Sequence, residues 1–414
     1  MTSADADWPL VSLSEVTERI MVGIASAATH AYRPSGVPMI RNQNIKPGRL
    51  DDRDLLHVDP RYERAFKNKR LREGDLLTVR TGYPGTTCVV PAAFEGAQSF
   101  TTLISRPQRA KVDSQFLSHY INSELGQSFF TQSQIGGAQK NVNAGVLRGM
   151  PLPLPTTQEQ RAVVAALDSA DSLIETIERM VAKKRNIKQG LMQELLTGRS
   201  RVPGYSGEWH EVRLGDVGNT YGGLTGKGKS DFGLGNGLYV AFTEVMEAVR
   251  LVGNRLERVR VRPRERQNQV QKGDVLFNGS SETPEEVALA AVVDFEPKPG
   301  TFLNSFCFGY RLENRQGIDP SYLAYFFRSA QGRTAVSALA QGATRYNIAK
   351  TKLMDLSPLL PPVDEQRAIA AVLRDAEDEI GALQRSLTSA RDIKTGMTQE
   401  LLTGRTRLHV EAAS

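Results

Sequence analysis

The chain is poor in the residues that metal and redox chemistry need. Its 414 residues include two cysteines and five histidines. Cys88 and Cys307 sit in apolar strings (Thr87-Cys88-Val89-Val90 and Phe306-Cys307-Phe308), where a free thiol is expected to act as a small core residue rather than in a disulfide or a metal site. The histidines are scattered without the spacing of zinc ligands. No apolar run approaches the ~18 residues of a membrane span. The first twenty residues, with Asp5, Asp7, Glu15 and Glu18, lack a signal-peptide pattern, so a cytoplasmic protein is expected. No Asn/Asp-Pro-Pro-Tyr/Phe motif of an amino-methyltransferase occurs, and neither a metal site nor a catalytic site of the chain's own is expected.

What is present is a soluble globular composition, 40% hydrophobic and 24% charged, long enough for two domains. A net charge of +6 favours a polyanionic partner. Its distribution says more. Arg61, Arg64, Lys67, Lys69, Arg70 and Arg72 precede one Gly-Asp element, and Arg255, Arg258, Arg260, Arg262, Arg264 and Arg266 precede another. Each run reads either as a solvated face or as a phosphate-contacting surface, and the recurrence favours phosphate contact for some of these side chains.

The strongest signal is repetition. Residues 158–201 recur without a gap as 364–407, with about half the paired positions identical, and both copies contain Gln-Glu-Leu-Leu-Thr-Gly-Arg (193–199 and 399–405). Weaker matches precede each copy in the same order: Trp8-Pro-Leu-Val-Ser-Leu with Trp209-His-Glu-Val-Arg-Leu, Arg72-Glu-Gly-Asp-Leu-Leu with Gln271-Lys-Gly-Asp-Val-Leu, and Gln115-Phe-Leu-Ser-His-Tyr with Ser321-Tyr-Leu-Ala-Tyr-Phe. The chain reads domain, helix, domain, helix, with boundaries at 8–155, 156–200, 205–362 and 363–407.

Each helix opens on a capping-box-like Gln158-Glu159-Gln160 or its counterpart and ends at Thr-Gly, a C-terminal glycine cap at Gly198 and Gly404. Apolar residues follow helical spacing at Leu167, Ala170, Ile174, Ile177, Val181, Ile187, Leu191 and Leu195, and at Leu373, Ala376, Ile380, Leu383, Leu387 and Ala390. Such stripes predict a coiled coil between the copies, the alternative being a helix packed on its own domain. Gly190 and Gly396 would permit a bend or a close helix approach. A helix of about 40 residues spans about 60 Å, so chain continuity predicts an α+β fold with a pseudo-two-fold repeat: two homologous heads separated by an antiparallel two-helix coiled coil. Heads so spaced suit a duplex whose turn is about 34 Å, each reading a short sequence with an unread gap between.

Gly223-Leu-Thr-Gly-Lys-Gly-Lys229-Ser230 satisfies the P-loop pattern and supplies an alternative, a nucleotide hydrolase. Its flanks, Gly218-Asn-Thr-Tyr-Gly and Asp231-Phe-Gly-Leu-Gly-Asn-Gly, are too glycine-rich for the buried strand and following helix that a phosphate cradle requires. Asp274 with Glu296-Pro-Lys298 is a chance match to a nuclease set, because Pro297 lies in a turn. A third reading is a coiled-coil scaffold whose heads bind proteins.

The order of parts, the Leu-Pro-Leu-Pro to Glu-Gln-Arg junction (152–161, and its counterpart 359–367), the repeated Gln-Glu-Leu-Leu-Thr-Gly and the paired Gly-Asp strands resemble the specificity subunit of type I restriction-modification systems over nearly the whole chain. The resemblance implies two target recognition domains reading the halves of a split DNA sequence, and a coiled coil on which two methylation subunits assemble, with restriction subunits added. S-adenosylmethionine, ATP and Mg are then expected on those partners and not here. By the same resemblance, Arg41 and Asn42, then Arg80, Thr81 and Tyr83, then Gln139, Lys140 and Asn141 are the DNA-binding candidates of the first head. Those of the second are Thr243, then Asn278, Ser280 and Ser281, then Thr344, Arg345 and Asn347, with Lys227 and Lys229 placed on phosphates. Arg and Asn suit guanine and adenine edges.

Overall fold

The computed structural model describes residues 8–26, 28–133, 142–313, 317–342 and 345–408. The chain divides into two compact units, Met1–Glu178 with Arg385–Ser414, and Arg179–Gln384. The division cuts both long helices, so each unit holds one head and a part of each helix.

In the first unit a four-stranded antiparallel sheet runs in the order Thr17–Val22, Leu103–Pro107, Leu76–Thr78, Thr87–Val89. Strand alternation sends Leu76 and Leu103 to one face, against Phe116, Leu117 and Ile121 of the helix Ser114–Asn122, and Leu77, Ile104 and Cys88 to the other, against Ile40 and Val90. Both faces are covered, and a second, mixed sheet joins Gln98–Ser99, Val37–Ile40, Leu56–Val58 and Tyr32–Arg33. The second unit repeats the plan with the order Gly218–Gly222, Cys307–Leu312, Val275–Asn278, Ala290–Val293, Arg250–Leu251 and the helices Pro320–Arg328 and Ala330–Ser337. Its second sheet is Glu257–Val259, Phe232–Val240, Thr301–Leu303. Cys88 and Cys307 are both free and buried, and burial pushes each thiol up to about 12.

The long helices run Thr157–Leu195 and Val363–Thr403. Thr156 and Glu159 form a capping box: the Thr156 amide donates to Glu159 Oε2 (2.8 Å), and the Glu159 amide to Thr156 Oγ1 (3.3 Å). Past the helix ends, Gly198 and Gly404 take φ of 72° and 73°, the left-handed cap conformation that glycine adopts without penalty. The inward positions of the first helix are Leu167, Ala170, Ile174, Ile177, Val181, Lys184, Lys188, Leu191 and Leu195, alternating in steps of three and four. Ile187 is therefore not a stripe residue as its spacing suggested. It is exposed, while the aliphatic stems of Lys184 and Lys188 fill the frame and carry their ammonium groups out to acids. Nor do Gly190 and Gly396 mark a close approach, since a Cβ at either would meet nothing within 4 Å.

Inside each unit the helix segments run in opposite directions. In the first, Asp171 pairs with Lys394 and Glu178 with Arg391 (2.6 Å); in the second, Lys184 pairs with Glu379 (2.6 Å) and Lys188 with Glu377. These partly exposed pairs set register more than stability. Among the described residues no helix is long and apolar enough to cross a membrane.

Two repeated devices bind head to helix. Gln160 donates to the carbonyls of Pro155 (2.8 Å) and Lys111 (3.0 Å) and accepts from the Asp113 amide (2.7 Å); Gln366 does the same with Pro361, Gly317 and Asp319. Both glutamines are fully buried. Replacing Gln160 by leucine strands an amide and two carbonyls, and urea unfolding should show a loss of about 2–3 kcal/mol. The other device is a tryptophan corner. In the first unit Trp8 donates to Glu159 (3.2 Å), lies against Gly404 and sits under the Arg407 guanidinium (5.7 Å). In the second, Trp209 lies against Gly198 and under Arg201 (5.7 Å), which forks onto Glu365 through two 2.5 Å bonds. The end of each long helix thus closes on the head that contains the start of the other.

Candidate nucleic-acid interface

The Gly-Asp element is an anchor. Asp75 accepts from the Arg72 amide (2.8 Å) and from Arg106 Nε and Nη2 (2.8 and 2.7 Å). Asp274 accepts from the Gln271 amide (2.8 Å) and from Arg311 Nε and Nη2 (2.8 and 2.7 Å), and takes a further bond from the Tyr221 hydroxyl (2.6 Å). Burial, with Asp274 beside it, raises Tyr221 far above the usual phenol range and keeps it a donor. A carboxylate so occupied is no metal ligand, and Glu296 pairs elsewhere, with Lys272 (3.3 Å). The anchor fixes the strand from which each hairpin rises.

In the first head the hairpin Leu76–Thr78 to Thr87–Val89 carries the loop 79–86, whose ends Val79 and Gly85 are buried while Thr81, Gly82 and Tyr83 stand out to solvent. Its base is locked by a Thr78–Thr87 hydroxyl pair (2.8 Å), and its turn uses the positive φ of Gly82 (89°) and Gly85 (93°). At the tip Tyr83 is 87% exposed. Asn42 donates to Thr81 Oγ1 (3.1 Å), bringing the loop after Val37–Ile40 to the hairpin, and Arg41 forks onto the carbonyl (2.8 Å) and carboxylate (3.2 Å) of Asp54. Arg41 Nε, Asn42 Oδ1 and Arg80 Nε are buried without a partner. They lie on the two segments that the Asn42–Thr81 bond joins. Gln139, Lys140 and Asn141 lie outside the described residues.

The second head departs from its sequence reading at three residues. Asn278 is fully buried: its amide donates to the carbonyls of Ser280 (3.2 Å) and Glu286 (2.8 Å) and accepts from the Leu289 amide (2.6 Å), so it shapes the loop and is closed to bases. Ser281 is buried and bonded to Glu286 (3.0 Å). Lys227, its side chain 4% exposed, pairs with Glu265 (2.5 Å) and donates to the Arg260 carbonyl (2.6 Å), which removes it from phosphate duty. The Lys227 bond holds the Glu265 carboxyl down at about 2. Lys229 and Thr243 are exposed. No helix follows Lys229 beyond the short turn Lys229–Asp231, which removes the P-loop geometry.

The remaining candidates converge. Ser280–Ser281 pairs with Tyr346–Asn347, bringing Ser280 opposite Asn347. Ser280 Oγ is buried and unpartnered. Arg345 lies over the ring of Phe306 (5.4 Å), which is 57% exposed and whose carbonyl accepts from the Gly279 amide (2.8 Å). Sequence reasoning missed Phe306; the signal was an aromatic in the polar turn Asn304-Ser305-Phe306. Thr344 lies outside the described residues. Each head thus carries, near its hairpin, an exposed aromatic, an arginine and unsatisfied polar atoms: Tyr83 and Arg80 in one, Phe306 and Arg345 in the other. Aromatic faces and arginine forks are the groups that meet bases and phosphates.

One metal-like cluster occurs among the described residues, His119 with Asp168 and Asp171. His119 Nε2 bonds Asp168 (2.8 Å), and Lys394 occupies Asp171. At the matching positions of the second unit Tyr325 donates to Glu377 (2.9 Å) and Lys188 pairs with Glu377. The arrangement is a head-to-helix latch in both units.

Comparison with known proteins places these features in a family. The model of the type I restriction modification DNA specificity domain matches twice, over residues 6–186 and 206–388. The type I restriction enzyme StySPI specificity subunit of Salmonella potsdam is 20% identical over 95% of this chain and 87% of its own. The HsdS subunit of Thermoanaerobacter tengcongensis superimposes with a TM-score of 0.52 at 20% identity, covering 97% of each chain. A chain from a structure of type I R-M complex assembly and conformational transition gives 0.60 at 19% identity, covering 98% of this chain and all of that one.

Proposed function

Because the chain belongs to the type I restriction modification DNA specificity family, we propose that its two heads read the two halves of a split duplex target, one half-site each. The observation that carries this reading is the pair of hairpins. They stand on the same Gly-Asp anchor in the same strand order, yet carry different loops, residues 79–86 with Arg80-Thr81-Gly82-Tyr83 in one and residues 278–289, opening on Asn278-Gly279-Ser280-Ser281, in the other. A shared frame with unlike tips is what two specificities on one scaffold require. Arg80, Thr81, Tyr83 and Asn42 are the reading groups of the first head, with Arg41 as support. Arg345, Asn347 and Phe306 serve the second, with the buried Ser280 paired opposite Asn347 as support and the exposed Lys229 and Thr243 as further contacts. In this reading the long helices form an antiparallel coiled coil that separates the heads and sets the unread gap.

The chain acts in the cytoplasm as a non-catalytic subunit; S-adenosylmethionine, ATP and Mg belong to its partners. Two methylation subunits dock along the helices, and restriction subunits join that core. Leu173, Met180 and Ile187, exposed at intervals of seven on the first long helix, support this docking, since an apolar stripe beside the inward one is what a third helix covers. Leu173→Glu with Met180→Glu should abolish co-purification of the methylation subunits while the chain's circular dichroism is unchanged; retained co-purification would place the docking face elsewhere.

Methylome sequencing of cells carrying the chain with its methylation partner tests the central reading. A split adenine-methylated motif is expected, and a continuous motif would overturn it. Arg80→Ala should cost about 1–3 kcal/mol of binding, felt at a single base pair of one half.

A further inference from the structure

Behind each reading hairpin, two side chains from the neighbouring helix pair bond its backbone, one at the first residue of the returning strand and one at the loop. In the first head Asn122 pairs with Thr87 in both directions, donating to its carbonyl (2.7 Å) and accepting from its amide (3.0 Å). Gln127 donates to the carbonyls of Gly85 (3.2 Å) and Ile121 (2.8 Å). In the second head Arg328 donates to the Ala290 carbonyl (2.6 Å), and Arg333 to those of Ala288 (3.0 Å) and Phe327 (3.2 Å).

The correspondence is residue for residue. Arg328 and Arg333 stand at the offset from Asn122 and Gln127 that relates the two long helices. Their targets match as well. Thr87 and Ala290 pair with Thr78 and Phe277, equivalent strand positions, and Gly85 and Ala288 both take positive φ (93° and 51°). The clamp chemistry and the loop length differ. The first loop is short, residues 79–86, and two amides suffice. The second runs from 278 to 289, and the guanidinium of Arg333 also reaches Glu285 (3.0 Å) and Val287. Five fixed donors per guanidinium serve a longer run of carbonyls than an amide can. Ala288 pays a steric penalty at its φ that Gly85 avoids, so its conformation needs the contacts Arg333 supplies.

Resting on the reading that the hairpins contact bases, we propose that Asn122 and Gln127 in one head, and Arg328 and Arg333 in the other, are positioning residues that set half-site specificity from behind the loop without touching DNA. In this chain the longer loop is held by arginines and the shorter one by amides. Specificity is then written in two places, the tip that meets the base and the helix residue that aims it.

The test uses the full methylation complex with Arg333→Gln, Arg333→Lys and Gln127→Ala, scored by methylome sequencing and thermal midpoint. Arg333→Gln and Arg333→Lys should lose about tenfold or more of the discrimination at one or more base pairs of the second half only. Gln127→Ala should do so in the first half only. The lysine variant keeps the charge but not the fork, so failure of the glutamine variant to fold leaves the other two decisive. An intact motif in the folded variants, with or without slower modification, would overturn the proposal by reducing the clamp to ordinary stability. Degeneracy in both halves would overturn it too. A wild-type complex without a split motif would instead remove the reading it rests on.

Discussion

Exchanging residues 205–362 for the equivalent domain of a relative should replace one half of the methylated motif and leave the other half and the gap unchanged. The contacts at the seam decide whether the exchange folds. The graft keeps Gly198, Arg201, Glu365 and Gln366 of the host, and these grip Trp209, Asp319 and Gly317 of the guest. The Arg201–Glu365 pair is untouched, with Glu365 fully buried, and Gln366 meets only the backbone amide of residue 319 and the carbonyl of residue 317, so a donor bearing tryptophan at the position of Trp209 and no proline at that of Asp319 meets its partners intact. A donor without the tryptophan leaves a cavity against Gly198 and Arg201 and should lose a few kcal/mol of stability before specificity can be read. Methylome sequencing measures the outcome. Change in both halves would mean that one head influences the base contacts of the other, against the division of labour proposed here.

The repeat was legible because helix registry is written in apolar spacing and in terminal glycines, and both survive divergence. The strand order of the heads was not, since short buried strands such as Leu76–Thr78 leave no period to read. Site residues failed where chemistry looked alike from outside. Asn278-Gly279 reads as a polar turn, and only the fold reveals three backbone groups around the Asn278 amide. Lys227 and Lys229 are two residues apart in one glycine-rich string, and Glu265, far along the chain, claims the first and leaves the second exposed. Ile187 looks inward from its spacing because its neighbours at the frame positions are lysines. A lysine stem fills such a position as well as an isoleucine when an acid waits at its end. The clamp residues Arg328 and Arg333 gave no signal, because nothing local tells a carbonyl-binding arginine from one facing solvent.

Lengthening the helices should lengthen the gap. The inward positions recur in steps of three and four, so seven residues are the unit that preserves them, whereas a four-residue insertion in one helix is a stutter that shifts every later contact. Seven residues inserted between Glu178 and Arg179, and seven between Gln384 and Arg385, fall between the Glu178–Arg391 and Lys184–Glu379 pairs, leaving each on its own unit. The added rise is about 10 Å, or about three base pairs at roughly 3.4 Å each. Both half-sites should persist, since no head residue has changed, with about three further unspecified positions between them. Modification should also slow. Three base pairs turn the duplex by nearly a third of a revolution at 10–10.5 base pairs per turn, while a heptad turns a helix only about 20° away from its starting face. The heads must then meet grooves that have rotated beneath them. An unchanged gap at full modification rate would show that the helices do not set the spacing.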